Sequence, residues 1–148
     1  MGGSDPSIYT VDSMAGYSST PLWKKLGFKP GMIACVEGAP ASYLKLLDLP
    51  RDTEVNWIRM PDASTALVHL FVTARKVLRS RLAALRKTLP SDAVVWVSWP
   101  KKTSGQATDI TENVVRDVAL PLGFVDIKVC AVDETWSGLK LMVRKELR

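Results

Sequence analysis

At 148 residues, with 47% hydrophobic and 24% charged side chains, the chain has the mix of one ordinary globular domain. That length buries about two-thirds of the unfolded surface, so folding requires no disulfide or metal. No apolar run approaches the roughly 18 residues of a membrane span, no signal segment opens the chain, and a net charge of +5 favours anionic partners only weakly.

The first thirteen residues, MGGSDPSIYTVDS, are small, polar and turn-rich, and a second methionine, Met14, follows them. We read 1–13 as an expression-derived or disordered leader and 14–148 as the folded domain. Thr20-Pro21 reads as an N-cap with proline at the first helical position, and PLWKKLG as a short helix stopped by Gly27. Pro30-Gly31 turns the chain into MIACV, Met32 to Val36, a continuous apolar run suited to a strand buried on both faces. A short helix is expected from Ala41 to Asp48, then a second strand from Glu54 to Ile58 and a third from Ala66 to Val72.

The longest helix is expected from Ala74 to Leu89, because Leu78, Leu82, Leu85 and Leu89 recur at the spacing of one helical face. A fourth strand, Ala93 to Trp99, follows. Asp109 and Glu112 have the spacing of a capping box, which predicts a helix from Ile110 to Leu122, weakened by Pro121 and ended by Gly123. Val125 to Val132 reads as the fifth strand. The turn DETWSG then returns the chain as Leu139 to Lys145, where apolar and polar residues alternate as in a half-exposed edge strand.

Strands alternating with helices predict a single Rossmann-like, three-layer α/β domain with a mostly parallel sheet of about six strands. The six-residue turn DETWSG is too short for a crossover helix, so the last two strands form an antiparallel hairpin. Only seven residues, Arg59 to Thr65, join the second and third strands, and the direction of the second strand stays open.

Ligands of open α/β sheets bind beyond the carboxyl ends of the parallel strands. Here that edge gathers Glu37 and Gly38, Thr73, Ser98 to Lys102, and Asp133 to Ser137. In SWPKKTSG, Lys101 and Lys102 are placed to attract an anionic group, Thr103 and Thr108 to donate hydrogen bonds, and Trp99 or Trp136 to pack on a planar ligand. Gly38 and Ser98 complete the candidate site. The expected ligand is a small anionic metabolite or nucleotide, and no particular cofactor is indicated. Two features oppose this reading: Asp109 at the following helix start would repel an anion, and the loop lacks the GxxxxGK[ST] spacing of a phosphate loop. The competing reading is a solvated connection before a well-capped helix.

His69, inside LVHLF, reads as a hydrogen-bonded core residue rather than a base. Asp133 and Glu134, adjacent in extended chain, point apart, so no catalytic residue is assigned. With one histidine, and with Cys35 and Cys130 both in apolar runs, no metal site is assigned and the reduced thiols of a cytoplasmic protein are expected. Arg75, Lys76, Arg79, Arg86 and Lys87 share a sector of the long helix. Without a groove-reading motif they read as a solvated face rather than a nucleic-acid surface, leaving an interaction module on this helix as a further class. Oligomeric state is not fixed by any of this.

The stretches YSSTPLWKKLGFKPG, LVHLFVTAR, SWPKK, TDIT and VDETWSGLK resemble a widespread set of small bacterial proteins, domain-of-unknown-function family 3052. The resemblance runs from about Met14 to the C terminus and implies no activity. A more distant likeness is to the S-adenosylmethionine-dependent methyltransferase fold, also a parallel sheet ending in an antiparallel hairpin. GMIACVEGAP stands where those enzymes carry a glycine-rich loop, but Gly38 is the one glycine after the strand and Pro40 stiffens it. The second strand ends WIRM, with no acid to hold a ribose. Together these features favour ligand binding or regulation, with a divergent methyltransferase as the enzyme alternative.

Overall fold

The computed structural model describes residues 20–148, so the leader expected over 1–13 lies outside the described residues. Six strands are formed: Ile33–Glu37 (β1), Asn56–Trp57 (β2), Leu67–Phe71 (β3), Val94–Pro100 (β4), Phe124–Ala131 (β5) and Trp136–Val143 (β6). They make one sheet in the order β2-β1-β3-β4-β6-β5. The first four are parallel, and β6 runs antiparallel to both β4 and β5. This is a Rossmann-like α/β sheet with an antiparallel C-terminal hairpin, and β2 proves parallel to β1.

Alternation along the strands divides the core between the two faces of the sheet. Leu67 and Phe71 of β3 and Trp96 of β4 pack with Leu22 and Leu26 of α1 (Leu22–Leu26) and Tyr43 and Leu47 of α2 (Tyr43–Leu47). On the other face Val68, Leu70, Val95 and Val97 meet Leu78, Leu82 and Leu85 of α3 (Arg75–Thr88) and Val115 and Val118 of α4 (Glu112–Ala119). The leucine stripe thus faces the sheet as its spacing requires. Trp96 adds a polar tie, its indole N–H donating to Leu26 O at 2.8 Å. No helix among the described residues is long and apolar enough to cross a membrane. Both cysteines are free, Cys35 buried and Cys130 half-buried.

Three expectations need correction. The second strand pairs over only Asn56 and Trp57, at the outer edge of the sheet, and the chain returns to β3 as bare loop. The last strand is not an edge. β6 lies between β4 and β5, and alternation looks the same whether a polar residue faces water or a neighbouring lysine, as Lys140 faces Lys128. The fourth helix starts at Glu112, its cap is Thr111, whose hydroxyl accepts from Val114 N at 3.2 Å, and it passes at Leu120 into a 3-10 turn containing Pro121. Asp109 faces another helix altogether: its Oδ1 accepts from Arg75 N, 2.7 Å away, at the start of α3.

Candidate functional site

β1 ends in Glu37, whose carboxylate receives two bonds from Arg81 of α3, Nε to Oε1 at 2.8 Å and Nη2 to Oε2 at 2.7 Å. The two-pronged pair is a strong geometry and leaves this carboxylate committed within the fold. The next residue, Gly38, has φ +73°, and a Cβ there would lie 2.6 Å from Phe71 O. Positive φ disfavours any side chain, and here the space for one is also taken by the backbone of β3. The β1–α2 loop is therefore pressed directly onto the carboxyl end of β3.

Below this loop runs a buried polar chain. The Tyr43 hydroxyl is hydrogen-bonded to His69 Nδ1 at 2.8 Å, and His69 Nε2 to Ser98 Oγ at 2.7 Å. His69 and Ser98 are both 0% exposed. Burial pushes the imidazole down to about 3 and raises the Tyr43 hydroxyl above its ordinary value, so the chain is neutral at physiological pH. Phe71 stacks on the imidazole with ring centres 4.3 Å apart and meets Trp136 edge-on at 5.0 Å. His69 is accordingly a satisfied core residue, joined to α2 on one side and β4 on the other.

A second feature lies across the sheet. A cleft of about 310 Å³ opens between the end of β4, the start of β6 and the N terminus of α4. Trp99, Lys101, Lys102 and Thr108 line it, joined by Ile110, Thr111, Glu112 and Ser137. Lys101 is drawn into the neighbouring hairpin turn: its ammonium donates to Asp133 O and its amide to Thr135 O, both at 2.7 Å. The Thr108 hydroxyl donates to Thr73 O at 2.6 Å and accepts from Ile110 N at 3.1 Å. Asp133 Oδ1 accepts from the amides of Thr135 and Trp136, which fixes the hairpin turn rather than presenting a free base.

The eight residues expected to share one site are thus distributed. Trp99, Lys101, Lys102 and Thr108 come together in the cleft. Ser98 and Trp136 sit in or against the aromatic cluster on the α1/α2 side, Gly38 lies beside Phe71, and Thr103 is exposed on a short 3-10 turn, Lys102–Ser104. Neighbours in a strand point to opposite faces, and here Ser98 turns to His69 while Trp99 turns to the cleft. Reasoning from sequence missed Tyr43 of the buried chain, and Thr111 and Glu112 of the cleft. A threonine directly before an acid at a helix start was the available signal for the latter pair. Among the described residues no group of three or more His, Cys, Asp or Glu is arranged to hold a metal ion.

No protein-family model matches the chain, and no curated protein sequence matches it. Solved structures do match in fold. A S-adenosylmethionine-dependent methyltransferase from Aquifex aeolicus superposes with a TM-score of 0.59 at 15% identity, covering 82% of this chain and 87% of that one. The tRNA methyltransferase TrmK of B. subtilis gives 0.52 at 7% identity over 83% and 65%. LepI in complex with S-adenosylmethionine gives 0.51 at 10% identity over 84% of this chain and 47% of that one. The likeness establishes a methyltransferase-like fold, and at these identities it establishes the fold alone.

Proposed function

We propose that the domain binds S-adenosylmethionine, or an adenosyl ligand of that class, at the carboxyl ends of β1 and β3, as a divergent methyltransferase. Gly38 carries this reading. Its missing side chain lets the β1–α2 loop close onto Phe71 O, whereas Cβ atoms added at Gly27, Gly31 or Gly105 would meet nothing within 4 Å. A backbone loop packed flat against the strand ends leaves peptide groups, not side chains, to meet a ligand at that edge, where open α/β sheets bind their ligands. The methyltransferase-like fold supports the choice of ligand. Two departures set the expected strength. Glu37 is held by Arg81, and β2 leads into Ile58 and Arg59 without a carboxylate for ribose hydroxyls. Binding through fewer polar anchors gives an affinity of about micromolar or weaker. Membership of family 3052 is part of the same proposal and adds no activity to it.

Amide chemical-shift mapping during titration with S-adenosylmethionine and S-adenosylhomocysteine tests this without a mutation. Saturable shifts centred on residues 37–42 and 73–74 support the proposal. Absence of any shift up to about 10 mM overturns it.

A further inference from the structure

The cleft beside α4 is separate from the Gly38 loop, and hydrogen bonds among the described residues leave several donors around it unengaged. Trp99 is only 6% exposed and lines the cleft, yet among the described residues its indole N–H has no partner. Arg86 Nε is the one fully enclosed side-chain nitrogen or oxygen lacking a partner among the described residues, so the Trp99 N–H opens outward. A nine-tenths buried indole normally donates to something. Ser137 stands directly opposite Trp99 in the β4–β6 register, on the same face of the sheet, and its hydroxyl also has no partner among the described residues. Lys102, on the rim, carries an ammonium that meets no acid or carbonyl among the described residues.

The end of α4 adds two more donors. The Thr111 hydroxyl is given to Val114 N, which leaves the amides of Glu112 and Asn113 without acceptors, as the first turn of any helix does. Asp109, the carboxylate that would oppose an anion here, is turned away to Arg75 N at 2.7 Å. Charge then limits the ligand. Glu112 lines the cleft with its carboxylate 2.6 Å from Arg116 Nη1, so the cleft suits one negative charge better than two. Trp99, Pro100 and Ile110 supply apolar wall. The volume, about 310 Å³, falls at the lower end of small-molecule sites.

We propose that this cleft binds a monoanionic carboxylic acid with a small apolar or aromatic body. The carboxylate accepts from the Trp99 indole and the Ser137 hydroxyl, Lys102 supplies the countercharge, and the body packs on Pro100 and Ile110. This site does not depend on the adenosyl ligand proposed above.

The test is titration with three probes: benzoate, benzamide as its uncharged counterpart, and inorganic phosphate, read by amide shifts and tryptophan fluorescence. Benzoate is expected to give saturable shifts at residues 99–102, 111–113 and 137, with benzamide at least about tenfold weaker because it lacks the charge. Lys102→Ala should weaken benzoate about tenfold with the melting temperature unchanged. Trp99→Phe, which keeps a ring but removes the N–H, should weaken it too; if that variant melts early, Ser137→Ala replaces it as the measure of the donor pair. No saturable benzoate shift up to about 10 mM, equal binding of benzamide, or an indifferent Lys102→Ala overturns the proposal. Phosphate binding in preference to benzoate overturns the carboxylate assignment.

Discussion

Asp109 caps a helix that begins 34 residues before it, its Oδ1 accepting the Arg75 amide at 2.7 Å. The residue at the cap position of α3 is Ala74, which has no side chain able to do this. Thr108 adds a bond from its hydroxyl to Thr73 O at 2.6 Å, and the Asp109 amide donates to the same carbonyl at 3.3 Å, so one loop is fastened three times to the β3–α3 turn. The same loop forms a wall of the cleft. Replacing a carboxylate cap by alanine costs about 1 kcal/mol, and Asp109→Ala should lower urea stability by that amount. Asp109→Asn should recover most of it. An equal loss in both variants would show that charge rather than the hydrogen bond matters. Thr111→Ala, which uncaps α4, should cost a similar ~1 kcal/mol independently.

Much of the scaffold is legible in the chain because its central strands and long helix obey a single periodicity each. LVHLF is apolar on both faces save for one histidine, as befits a strand with neighbours on each side. The leucine spacing of α3 fixes both its bounds and its buried face. The start of α4 is not legible in the same way. Asp109 and Thr111 are both good caps, and only the tertiary structure decides that Asp109 serves α3. For the candidate site, the period of a strand already places Ser98 and Trp99 on opposite faces. What the chain cannot reveal is that Lys101 turns its ammonium to Asp133 O, since that depends on how the hairpin closes.

Gly38 and Gly27 separate two costs that a glycine can hide. Both have positive φ, +73° and +91°, but a Cβ at Gly27 meets nothing while one at Gly38 lies 2.6 Å from Phe71 O. Gly27→Ala should therefore show the conformational penalty alone, about 1 kcal/mol. Gly38→Ala should cost at least about 2 kcal/mol, because backbone rather than a flexible side chain must move. Denaturant midpoints of the two variants, compared at equal slope, measure the contact. Equal losses would mean that the β1–α2 loop is not held against β3.

Trp96 joins the two layers on the α1/α2 side through its 2.8 Å bond to Leu26 O. Trp96→Phe keeps an aromatic ring in the core but leaves that carbonyl without its donor and some volume unfilled. The expected loss is about 2 kcal/mol, combining an unsatisfied buried acceptor with a small cavity. Amide exchange should quicken across Leu22–Leu26 more than across α3. Uniform quickening would argue that the indole bond does not hold α1 in particular.

The buried His69 makes the fold sensitive to acid at unusually mild pH. Its imidazole takes up a proton only near pH 3 in the folded protein, whereas the unfolded chain does so near 6.5. Between those values the unfolded state binds more protons, so stability is fully present above 6.5 and falls as pH drops toward 3. Asp126, held below the usual carboxylate range by Arg116, also loses its contribution in acid, but only below the ordinary carboxylate value, as pH falls toward its depressed folded-state pKa. The interval from pH 6.5 to 5 thus belongs to His69. Wild-type denaturation midpoints should decline across it, and His69→Gln should be less stable at pH 7 but nearly flat over the same interval. Tyr43→Phe removes the 2.8 Å bond to Nδ1 yet leaves the ring buried, so it should lose stability at every pH and keep the slope. A wild-type profile flat from pH 7 to 5 would mean that the imidazole can reach solvent and charge without unfolding the domain.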